Sequence, residues 1–171
     1  MHMDYRRDAI DRLPETVRPH GDSDEEQQIK YKHHRFANST LKYYIDRCDY
    51  LAAYTVAFSL LEDRLRAMAI VKQRDVLGHE KYESFTTIEL ARVVGHNFPK
   101  TEENLVFIEN IKSVIFNRNK LLHEAMWRTN AISLKDIEDV IGLRDIVASE
   151  LEKMKREVQR QKKLNQSKLT D

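Results

Sequence analysis

The sequence has little to cross-link or interrupt it. Cysteine occurs once, at Cys48, which excludes a disulfide framework and any cysteine-based metal site. Four Gly and three Pro among 171 residues leave few turn signals, so a Gly-rich sheet protein is a poor match. The longest apolar stretch, Tyr50 to Leu61, extends about twelve residues before Glu62, Asp63 and Arg64, well short of a membrane span. Residues 1–7 hold no apolar segment resembling a signal peptide, and a cytoplasmic protein is expected. There is no Gly-rich phosphate loop, which removes the commonest nucleotide-binding signature.

What is present is charge and helix formers. The chain is 33% charged and 41% hydrophobic, enough for one domain around a single core, and its Glu, Lys, Arg, Leu and Ala predict an all-α fold. A net charge of +1 conceals a gradient: residues 1–28 hold eight acids against four bases, and residues 153–168 hold seven bases against one acid. A basic end of this kind is drawn to nucleic acid by its field, and it equally suits a helix C-terminus and solubility.

Residues 1–23, with Pro14, Pro19 and Gly21, are read as a loosely attached segment with a short helix near residues 4–12. A first long helix is predicted from Asp24 to about Arg47, with an imperfect stripe that Asn38 and Ser39 interrupt. Asp49 is a candidate N-cap for a second helix to about Gln73, because Leu51, Tyr54, Phe58, Leu61, Leu65 and Ala69 recur at steps of three and four. After a break at Gly78, a short helix is predicted from Thr86 or Thr87 to Val94, stopped by Gly95 to Pro99. Thr101 opens a fourth helix carrying Leu105, Ile108, Ile111, Ile115 and Leu122. Ser133 and Asp136 form a loose capping box for a last helix through Ile137, Ile141, Ile146, Val147 and Leu151. Four to five helices on short connections predict an up-and-down bundle over residues 24–155, with 156–171 as a basic helix end or tail.

Polar residues interrupt two of these stripes. On an ideal helix with Ile115 at zero, Ile108, Ile111, Leu122 and Met126 fall within about 40°, Arg118 at about −60°, Asn119 at about 40° and His123 at about 80°. This wheel puts Asn119 on the apolar face, flanked by Arg118 and His123. On the second helix, with Phe58 at zero, Glu62 lands at about 40° and Arg66 at about 80°. An acid facing the core needs a cation or several donors, and Arg66 and Arg118 are the nearest candidates. A structural ion pair is one reading of these residues. Arg118 and His123 lie about 140° and about 7.5 Å apart along one helix, so joint chemistry needs a bend, a long reach or a second copy of the helix. Carboxylates such as Asp136 and Asp139 are read as a solvated face. Trp127 is read as a packing residue. His33 and His34 diverge by about 100°, which argues against a metal site there.

The segment Arg118 to His123, RNKLLH, resembles the R-x(4–6)-H motif of HEPN domains, the nucleotide-binding helical bundles of higher eukaryotes and prokaryotes. It carries the usual polar residue after the Arg, sits late on the penultimate helix, and is followed by Ile132, Ser133 and Leu134 leading into the last helix. Ala52, Ala53, Tyr54, Phe58 and Glu62 are similar to the HEPN segment in which small and aromatic residues precede an inward acid, and Glu62 with Arg66 resembles its E-x3-K/R element. The likeness covers roughly residues 30–155. It departs at Glu124, where a Gly often follows the motif His.

The resemblance implies a helical bundle and a metal-independent, cofactor-free endoribonuclease, acting as a homodimer in toxin–antitoxin or anti-phage defence. Its partners would be RNA and an antitoxin such as a nucleotidyltransferase. In that role His123 is the base for the ribose 2′-OH, Arg118 holds the phosphate, and Asn119 orients the phosphate or His123. Glu62 supports the site, and Arg66 and Lys120 touch RNA. An imidazole titrating near about 6.5 and an always-charged guanidinium suit these tasks. Other HEPN domains are non-catalytic interaction or scaffold modules, and the same residues are then structural.

Overall fold

The computed structural model describes residues 24–73, 85–96, 101–128 and 131–167. They form α1 (Asp24–Asp46), α2 (Tyr50–Gln73), α3 (Thr87–His96), α4 (Glu102–Ala125) and α5 (Leu134–Ser167), with no strand among them. The short N-terminal helix expected near residues 4–12 and the break at Gly78 lie outside the described residues.

The starts of α2 to α5 are each set by a side chain that satisfies the free N–H groups of the first turn. Asp49 Oδ1 accepts from the Ala52 amide at 3.3 Å, and Thr101 Oγ1 from the Asn104 amide at 3.3 Å. Thr86 and Glu89 make a reciprocal box, the carboxylate accepting from the Thr86 amide at 2.7 Å and hydroxyl at 2.8 Å. Those bonds, the backbone one first, hold the Glu89 carboxyl below its ordinary pKa. The Ser133 and Asp136 box predicted from the sequence forms in the same way, at 2.8 Å from the Ser133 amide.

The first helix runs unbroken past Asn38 and Ser39, over the span predicted for it. Both residues bond back one turn, Asn38 to the His34 carbonyl at 2.8 Å and Ser39 to the Arg35 carbonyl at 3.0 Å, so neither withdraws a backbone group from the helix. Asn38 also accepts from Arg144 at 3.0 Å and ties α1 to α5. His34 Nε2 lies 3.0 Å from Asp63 Oδ2 and ties α1 to α2. Between α1 and α2 the chain turns through Cys48, held at a φ of 57°, a left-handed conformation that a non-glycine residue adopts only at some cost.

The core is organised around α2, which packs against α1, α3 and α5. Ala53, Ala57, Leu61, Leu65, Met68 and Ala69 are fully buried, and Tyr54, Phe58, Leu60 and Arg66 are nearly so. Helix α5 lies alongside α2, with Asp136 near Tyr54 at one end and Arg64 near Glu152 at the other, so the two run parallel. From α5 the core receives Ile137, Val140, Leu143, Val147 and Leu151. Beyond Met154 this helix continues to Ser167 with its surface almost wholly exposed, a basic arm about 20 Å long by helical rise.

Candidate functional site on the fourth helix

Helix α4 is held mainly by α3, with a lighter contact to α5. Gly95 of α3 permits that approach: a Cβ there would stand 3.3 Å from Ile108 Cγ2. Only Ile108, Ile111 and Ile115 of α4 are fully buried, with Phe107, Val114, Leu121, Leu122 and Ala125 half-buried beside them. The middle of this stripe falls on Arg118, about 60° from Ile115 on the ideal wheel.

This corrects the sequence-based face. Asn119 does not lie on it; the residue is exposed, as is His123. Met126 does not belong to the stripe: it stands at the C-cap, past the last helical turn, and is exposed. Trp127, read as packing, is 85% exposed for the same reason.

Arg118 turns inward over α2. Its guanidinium carbon lies 5.0 Å from the centroid of the Phe58 ring, and Phe58 is itself stacked with Tyr54 at 6.4 Å. A guanidinium at that distance is attracted by the ring quadrupole, worth about 0.5–2 kcal/mol according to how dry the site is. Its Nη1 also donates to Asn119 Oδ1 at 3.2 Å. Among the described residues no carboxylate lies within ion-pair distance of Arg118. Asp136 and Arg118 act on the Tyr54 hydroxyl from opposite electrostatic sides. Burial, reinforced by Asp136 and opposed by Arg118, pushes that phenol up to about 12.

The remaining candidates stand apart from Arg118. Glu62 pairs with Arg66 at 3.0 Å, and Arg66 also donates to the Phe85 carbonyl at 3.4 Å. Of the two expected partners for Glu62, the structure selects Arg66. Arg66 is also the more buried of the pair, because α2 is covered on nearly every side and a single-stripe wheel understates that. Lys120 Nζ lies 3.9 Å from Glu124 on the surface. Helix α4 is unbroken from Glu102 to Ala125, so the angular separation of Arg118 and His123 stands: one enters the bundle and the other leaves it. Helix α4 and its C-terminal turn also leave large apolar side chains to solvent, Phe116 73%, Met126 74% and Trp127 85% exposed.

No family model, curated protein or solved structure matches this chain. The site is therefore read from its own geometry. What sequence reasoning missed is the ring that receives Arg118, Phe58, itself stacked on Tyr54. The available signal was the pair of aromatic residues one turn apart on α2, since an arginine on a buried stripe needs a π face or a carboxylate to receive it. Among the described residues no group of three His, Cys, Asp or Glu side chains is placed to hold a metal ion, and no helix is long and apolar enough to cross a membrane.

Proposed function

We propose that this protein is a HEPN-like, metal-independent endoribonuclease of a toxin–antitoxin or defence system, completed when two copies meet along α4. The observation that carries the reading is the arrangement around His123. His123 is exposed on a helix that, with its C-terminal turn, also leaves Phe116, Met126 and Trp127 to solvent, while an arginine without a carboxylate partner among the described residues sits five positions earlier on the same unbroken helix. An apolar rim of this kind gains from being covered, and covering it with a second α4 brings a second set of these groups to the same place.

In the reaction His123 takes the proton from a ribose 2′-OH, whose oxygen attacks the adjacent phosphorus. Arg118 turns out from Phe58 to hold the phosphate oxygens through two hydrogen bonds as their charge develops. The bond to the 5′ oxygen breaks, that oxygen is protonated, and the products are a 2′,3′-cyclic phosphate and a 5′-OH. Asn119, bonded to Arg118, steers the guanidinium, and Lys120 contacts the RNA backbone. Glu62 and Arg66 act on the frame of the site through α2.

The purified protein is expected to cut RNA in EDTA, with Arg118→Ala and His123→Ala each abolishing cleavage while sedimentation still reports a dimer. Unchanged cutting by both variants rejects the reading. A second reading is favoured by one contact, the stacking of Arg118 on Phe58, which is what a structural arginine in a non-catalytic interaction module does. In that case the wild type degrades no RNA, and a loss of stability is the whole effect of Arg118→Ala. A neighbouring gene for a small nucleotidyltransferase would identify the expected antitoxin.

A further inference from the structure

Between α4 and α5 lies a groove of about 410 Å³, in the size range of small-molecule sites. Its charged lining is of one sign: Asp136, Glu138 and Asp139 from α5, with no Lys, Arg or His. Helix α4 supplies neutral polar groups, Asn110, Ser113 and Asn117, and apolar surface comes from both helices. One carboxylate oxygen of Asp136 caps Ser133, while Asp139 has no partner among the described residues.

Two further observations indicate that the groove is kept open for an occupant. Tyr54 lies beneath it, 1% exposed, with no hydrogen-bond partner for its hydroxyl among the described residues. A buried phenol ordinarily finds a partner, and one that lines a groove without a partner is placed to bond whatever enters. Gly142 is the second. It lines the groove from the interior of α5, where glycine costs about 1 kcal/mol relative to alanine, and a Cβ on it would meet nothing within 4 Å. Neither packing nor backbone conformation explains that glycine, whereas room for a ligand does.

We infer that this groove binds an alkylammonium group, the ammonium between Asp136 and Asp139 and the methylene chain over Gly142 toward the Tyr54 hydroxyl. An anion is repelled by all three acids, so the groove is separate from any phosphate-binding surface of α4. Two sources carry this chemistry: a free polyamine, or a lysine side chain on a peptide such as the basic arm of another copy, residues 153–168, with seven bases and one acid.

Calorimetric titration of the full chain with spermidine, and separately with a synthetic peptide of residues 153–168, tests the site. Asp139→Asn is expected to weaken binding at least tenfold. Gly142→Phe, which fills the groove and leaves every charge in place, is expected to abolish it. Binding of spermidine with this sensitivity assigns a free amine; binding of the peptide alone with the same sensitivity assigns a lysine side chain. Binding that Gly142→Phe leaves unchanged is general attraction to an acidic surface and overturns the inference, as does the binding of neither probe. Both variants retain Arg118 and His123, so RNA cleavage is read independently.

Discussion

Helices α2 and α4 have the same length, 24 residues, and opposite situations. Helix α2 is surrounded by neighbours and holds its one near-fully buried charge, Arg66, against Glu62 and a backbone carbonyl. Helix α4 presents a single stripe to the bundle, places Arg118 at the middle of it, and leaves Phe116 and His123 to solvent. The contrast puts the energy of burial on α2 and leaves α4 decorated on both faces at little cost to the fold. The free polar groups and apolar rim of α4 are the kind of surface from which binding and chemistry are built.

Removing core volume should break the comparison most visibly. Leu61→Ala is expected to cost about 2–5 kcal/mol in urea unfolding, because the site is fully enclosed. In the monomer, Phe116→Ala, deleting a larger but exposed side chain, should change stability by no more than about 0.5 kcal/mol. A comparable loss at both positions would mean that the outer face of α4 is packed in solution, as a dimer requires.

Alkaline titration examines the point where the helices meet. The folded protein holds the Tyr54 proton more tightly than the unfolded chain, its pKa raised from 10.0 to about 12. That difference stabilises the fold below pH 10 and is lost as the pH rises through 12. Tyr54→Phe should flatten this part of the stability curve relative to wild type. Equal alkaline losses in both proteins would show that the phenol is solvated.

Arg118→Ala should cost about 1 kcal/mol through the lost contact with Phe58, and His123→Ala should leave the melting temperature unchanged, since His123 makes no contact with the core. Reversed effects would exchange the roles assigned to the inner and outer faces. The smallest expected change is a gain. Gly142→Ala should stabilise α5 by up to about 1 kcal/mol, because a methyl group there has room and the helix prefers it.

Much of the fold was legible in the chain. The caps at Asp49, Thr101 and Ser133 mark helix starts because a short polar side chain can bond only to its own first turn, a local interaction that sequence spacing fixes. The candidate site was legible in part. Arg118, Asn119 and His123 stood out by residue type, yet the wheel assigned Asn119 to the wrong side, since Met126 is apolar by composition and exposed by position. Residues beyond a helix end follow no wheel. The carboxylates Asp136 and Asp139 were read as a solvated face; Asp136 is half-buried and both line a groove.

The sequence by itself determined the helices, their starts and the angle between Arg118 and His123, because 3.6 residues per turn and short-range bonding act within a dozen residues. Tertiary structure alone decided that Arg118 rests on Phe58 and not on Glu62, and that Tyr54 floors a groove between α4 and α5. Those outcomes join groups far apart in the chain, and they depend on how far each helix is rotated when it packs, which no local periodicity specifies.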